Sequence, residues 1–180
     1  MTLSPGKQFE KDFKDSVKKD KIFFYRIKDS TSAFNPKCME CPESKTKFTT
    51  KNDCDAFLYK EKILLPLELK STKSKSLSLS EKIIKPQQIK KLTEWIEYKG
   101  VVPGFIINFR ESDNSTYFLH INDFNNYVKN LNKKNKSSVP ISYCKENGIC
   151  IMSKIKIINF KYDINKFIED INIKYFSHQT

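Results

Sequence analysis

Two acids and a lysine stand out by their spacing: Asp55, twelve intervening residues, then Glu68-Leu69-Lys70. Residues 53–60 and 63–71 read as apolar strands separated by Glu61-Lys62, which suits an antiparallel hairpin although the turn lacks the usual glycine. Residues two apart on a strand share a face, so Glu68 and Lys70 emerge together while Leu67 and Leu69 point the other way. Three polar groups on one face of a hydrophobic hairpin are costly unless they bind something. A hard divalent cation such as Mg²⁺ would take Asp55 and Glu68 as oxygen ligands, keep several waters and sit against a phosphate. Lys70 would orient or deprotonate an attacking water and offset charge developing on phosphorus. On spacing alone a second reading stands beside this one, an edge hairpin whose charges face solvent.

The frame around these residues is a chain of 180 residues, enough for one compact domain spanning 1–180 with a real core and hardly for two. Its 38% hydrophobic and 13% aromatic content excludes a disordered chain despite 30% charged residues. No apolar run approaches the roughly 20 residues of a membrane helix, and the first residues carry no signal-peptide core, so the expected compartment is the cytoplasm, away from a membrane. Net charge is +12, which favours polyanionic partners. Only Arg26 and Arg110 are arginines, and between Lys70 and Lys91 seven lysines face one acid, Glu81. Lysine is a point charge without arginine's fork, so a strip including Lys73, Lys75, Lys85 and Lys90 would hold a phosphate backbone rather than read bases. A solvated face is the plainer account of the same run.

The elements that must position the motif follow from periodicity. Residues 6–19 form an amphipathic helix opened by Ser4-Pro5, and residues 22–28 form an aromatic strand on which Arg26 and Lys28 are candidate phosphate contacts. Residues 29–52 lose any period and form a long irregular insertion, about 30–52. Pro86 opens a second helix carrying Ile89, Leu92, Trp95 and Ile96, residues 101–110 fit a strand buried on both faces, and residues 117–121 pair beside it. A third helix runs over 122–131, capped by Asn122. The C-terminal extension, about 133–180, holds a short strand around Ile141, a turn at Asn147-Gly148, a strand over 151–160 and a last helix over 163–174. This order describes an α/β fold, a mixed sheet flanked by helices.

With these elements in place the sequence resembles a known family. Asp55 followed by Glu68-Leu69-Lys70 is similar to the catalytic motif of the PD-(D/E)XK nucleases, and the whole arrangement resembles the RecU-type Holliday-junction resolvases and their small phage and clostridial relatives. Gly6-Lys7-Gln8-Phe9-Glu10 matches that group's Gly-x-x-x-Glu opening, Gln87-Gln88-Ile89 stands where it has His-Gln, and Gly100 to Phe109 matches its glycine-introduced apolar strand. The resemblance covers about residues 5–125 and implies a restriction-endonuclease-like αβββαβ core. It implies a metal-dependent DNA endonuclease using Mg²⁺ or Mn²⁺, acting as a homodimer on four-way junctions or other branched DNA. By the same resemblance Asp55, Glu68 and the backbone carbonyl of Leu69 would hold the metal, Lys70 would activate water, and Glu10 would be a further acid near the metal. Gln88 would orient Lys70 or the DNA backbone. Asp53 stands where the resolvases carry threonine and Cys54 where the wider superfamily has proline, which leaves the role of Asp53 open. The insertion about 30–52 fills the interval of the resolvases' stalk with a different composition. A nuclease of the same fold on linear or flapped DNA, and a non-catalytic DNA-binding module, are the alternatives.

Five cysteines in an expected cytosolic protein argue against a disulfide framework. Cys38 and Cys41 form a CxxC pair that Cys144 and Cys150 would complete as a structural zinc site, against free thiols as the plainer reading. His120, on a strand, reads as packing.

Overall fold

The computed structural model describes residues 3–18, 22–27, 52–131, 137–157 and 159–177. Helix α1 (Pro5–Val17) begins at a proline, whose missing N–H costs nothing in a first turn, and buries Phe9, Phe13 and Val17. Strands β1 (Phe23–Arg26), β2 (Ala56–Lys60) and β3 (Ile63–Thr72) form an antiparallel meander. The turn between β2 and β3 is made without glycine because Glu61 and Lys62 both take left-handed φ, 55° and 85°, the pair that a tight two-residue hairpin requires.

After β4 (Ser76–Ser78), α2 (Pro86–Glu94) runs into a 3₁₀ turn at Trp95–Glu97 and leads to β5 (Gly104–Phe109). There follow β6 (Ser115–His120), α3 (Ile121–Leu131), β7 (Ser138–Pro140), α4 (Ile141–Asn147) and β8 (Ile149–Cys150). The described chain ends with β9 (Ser153–Lys156), β10 (Asn159–Tyr162) and α5 (Ile164–Phe176). The main sheet has the order β1-β2-β3-β5-β6-β8, with β3 and β5 parallel through the α2 crossover and every other pair antiparallel. This is the mixed sheet flanked by helices that the sequence pattern indicated.

Alternation along β3 and β5 sorts the core into two layers. Leu65, Leu67 and Ile106 join Phe9 and Phe13 of α1 and Phe167 and Ile171 of α5 on one face. Phe105, Ile107 and Phe109 join Leu92 of α2, Phe124 of α3 and Cys144 of α4 on the other. Buried polar side chains extend the layer that α1 and α5 cover. Asn108 Nδ2 donates to Asn114 Oδ1 (2.8 Å) and Thr116 Oγ1 (2.9 Å), its Oδ1 accepts from Ser71 (3.0 Å), and Asn114 Nδ2 donates to the Tyr162 hydroxyl (3.1 Å). Asn114 sits at φ 53°, a left-handed conformation that asparagine tolerates.

Four expectations are corrected. The polar stretch after β3 contains β4, which pairs antiparallel with β7. The short strand expected around Ile141 ends one residue before it, as β7, and Ile141 itself opens a helix, since Pro140 stands at its N-cap position in extended conformation. Residues 151–160 are two strands and not one: Ile157 turns the chain at φ 57°, and the Lys/Ile alternation carries no glycine to announce that turn. Helix α3 starts at Ile121, and Asn122 does not cap it; its backbone N–H donates to His120 Nδ1 (3.1 Å). His120 is buried, which with nearby Lys174 lowers its pKa to about 4. Among the described residues no helix is long and apolar enough to cross a membrane.

Candidate functional site

Strand β3 is central, hydrogen-bonded to β2 and β5, so the solvent-facing edge hairpin is excluded. Glu68 is wholly buried on the α2 side of the sheet. Its Oε1 accepts from Lys70 Nζ at 2.5 Å and from Gln88 Nε2 at 2.6 Å, while its Oε2 is buried and has no hydrogen-bond partner. Asp55 lies at the entrance of β2, its backbone fixed by bonds to Leu67 and Ile27, and its Oδ2 accepts the Leu69 N–H at 2.8 Å. The Asp55 and Glu68 carboxylates face each other closely enough to interact. Burial first, and the Asp55 charge second, push the Glu68 carboxyl up to about 7 against the pull of Lys70.

Gln88 is fixed at both ends. Its Oε1 accepts the Lys85 backbone N–H at the start of α2 (3.1 Å), which leaves the Nε2 aimed at Glu68. Pro86 at the first turn sets where that helix begins, so the Lys85-Pro86 junction fixes the reach of Gln88 into the sheet. Cys54 is buried beside the carboxylates; burial, Glu68 and Asp55 together push its thiol up to about 12. Asp53 is half-buried, and its charge acts on Lys91 of α2.

The structure therefore brings Asp55, Glu68, Lys70 and Gln88 together. Glu10 and Arg26 meet each other instead, as an ion pair between α1 and β1. Among the described residues no three of His, Cys, Asp and Glu gather as metal ligands, so of these residue types the site offers two carboxylates. Of the cationic strip, Lys75 and Lys85 are exposed, and Lys73 and Lys90 carry solvent-exposed pairs with Glu111 (3.5 Å) and Glu94 (4.0 Å), which are worth little in water. Lys28, Cys38 and Cys41 lie outside the described residues; Cys144 is a buried free thiol and Cys150 an exposed one. Sequence reasoning passed over the lysines of β9 and β10, whose signal was the strict Lys-Ile-Lys alternation from Lys154.

The chain is similar to known proteins. The SPbeta prophage-derived uncharacterized protein YotM of Bacillus subtilis is 45% identical over 176 residues, covering 92% of this chain and 86% of that protein. Among solved structures, the Holliday junction resolvase Hjc of Archaeoglobus fulgidus superposes with a TM-score of 0.50 at 15% identity, over 81% of this chain and 95% of that one. That match is one of fold, the restriction-endonuclease-like fold. The family model of recombination protein U matches residues 7–166. With the buried Glu68, its lysine and glutamine partners and the facing Asp55 carried on that fold, the chain belongs to the recombination protein U (RecU) family.

Proposed function

We propose that this protein is a divalent-metal-dependent endonuclease that hydrolyses phosphodiester bonds in Holliday junctions and related branched DNA. The observation that carries the proposal is the buried Glu68 Oε2, which lacks a hydrogen-bond partner and sits beside a second carboxylate. A buried, unsatisfied carboxylate oxygen is costly, and a hard cation removes that cost. Asp55, Glu68 and the Leu69 carbonyl would hold Mg²⁺ or Mn²⁺, which when bound supplies Lewis-acid stabilisation of charge on the scissile phosphate.

The chain's own residues do the rest. Lys70 holds an ammonium against Glu68 Oε1, where it orients the attacking water and offsets negative charge at phosphorus. Gln88 positions Glu68 by donating to Oε1, which leaves Oε2 without a donor beside the Asp55 charge. Positioning of this kind is expected to be worth about 10–100-fold in metal affinity. Gln88→Ala should therefore weaken calorimetric Mn²⁺ binding by that factor without abolishing it. A symmetric junction needs two incisions, which a two-fold homodimer supplies.

The test is incubation of the purified protein with a labelled four-way junction and a matched linear duplex in Mg²⁺, with Lys70→Ala as control. Paired symmetric nicks in the junction alone, lost in the variant, are expected. Tight junction binding without cutting in either Mg²⁺ or Mn²⁺ would reduce the protein to a DNA-binding module.

A further inference from the structure

The β9–β10 hairpin stands outside the six-stranded sheet and contributes nothing to the site above. Its register sets Lys154 opposite Lys161 and Lys156 opposite Asn159, so three lysines project from one face. All three are exposed, and among the described residues none has an ion-pair partner. Nearby acids are engaged elsewhere: Asp12 accepts from Gln8 and from the Phe160 N–H, Asp15 pairs with Lys18, and Asp163 caps α5 through the Lys166 N–H. The lysines line a cavity of about 390 Å³.

This hairpin is built against its own stability. Like charges directly opposite on neighbouring strands repel. The tip residue Ile157 is 98% exposed and holds φ 57°, a conformation that a β-branched side chain rarely adopts. Asparagine or glycine at the tip and a mixed-charge face would remove both costs. Strain and unpaired cations together point to a ligand that neutralises the face, and an apolar tip beside lysines matches the side chains that DNA-bending proteins press into a groove.

We propose that the lysine face of this hairpin is a second DNA-backbone contact that holds an arm of the branched substrate other than the one being cut. The proposal rests on the nuclease reading and deepens it. Helix α1 packs between the hairpin and the sheet, through Phe9 and Phe13 against Tyr162, whereas Glu68 and Gln88 lie on the sheet's opposite face. The two contacts thus face different directions, which a branched substrate can satisfy with separate arms. Lysines grip phosphate without reading sequence, so this contact selects shape.

The experiment compares wild type with K154Q/K156Q/K161Q, and with K156Q alone, for binding to a four-way junction and to a matched duplex in EDTA across a salt series. Each lost phosphate contact removes about 0.9 from the slope of log K against log salt. The triple variant should lower the junction slope by about 2–3 and K156Q by about 0.9, with the duplex slope unchanged. An unchanged junction slope overturns the proposal, and an equal fall on junction and duplex overturns the assignment to a second arm. Wild type that binds with the full slope but cuts nothing in Mn²⁺ defeats the nuclease reading while leaving the hairpin contact standing.

Discussion

Glu68→Gln is expected to cost about a thousand-fold in junction cleavage and at the same time to raise the thermal stability of the metal-free protein at pH 8. The activity loss follows because glutamine removes one of the two carboxylates that would hold the cation. The stability gain follows from proton linkage. Folding raises the Glu68 pKa from 4.5 to about 7, so the folded state holds this proton more tightly than the unfolded chain. The associated stability is fully present below about 4.5 and is lost as pH rises through about 7. Glutamine imitates the protonated form at every pH. The variant should therefore match wild type near pH 4.5 and exceed it at pH 8 by on the order of 2–3 kcal/mol, or roughly 5–10 °C in Tm. Paired melting curves at the two pH values, in EDTA and then in Mg²⁺, check this. Mg²⁺ should raise the Tm of wild type only, and a variant less stable than wild type at pH 8 would contradict the account of Glu68.

The second large effect is expected at Gly104. A Cβ there would lie 2.5 Å from the Leu119 carbonyl oxygen and 2.6 Å from the Phe118 ring, and a backbone atom cannot swing aside. Gly104→Ala should therefore push β5 away from β6 at a cost of about 3 kcal/mol, lowering Tm by roughly 6–12 °C. Because β5 also pairs with β3, Gly104 with Leu67 and Phe105 with Glu68, the displaced strand moves the motif as well. Denaturant unfolding and junction cleavage should both report the change, and a variant with wild-type Tm would show that the close approach relaxes freely.

The motif strand was legible because its pattern is short-range: alternation fixed the faces of Leu67, Glu68, Leu69 and Lys70 before any tertiary contact was known. The order of elements through α3, β4 apart, was legible for the same reason. What periodicity missed were contacts set by distant partners. The serines of β4 become a strand only because Val139 and its neighbours pair with them. The Glu10–Arg26 pair depends on how α1 crosses β1, which no local pattern encodes. The turn at Ile157 breaks the residue preferences that announce turns, so a pattern rule reads through it.

The chain of side chains from Ser71 on the motif strand through Asn108 and Asn114 to Tyr162 gives the end of the molecule an unexpected standing. Tyr162 packs on α1, and Phe167 and Ile171 complete the layer beneath it. In genetic terms the last quarter of the reading frame is not dispensable. A premature stop after α3 would strip the far wall from the first helix and leave the buried Asn114 amide without its Tyr162 partner, so selection should treat nonsense mutations there as severely as changes in the carboxylates themselves.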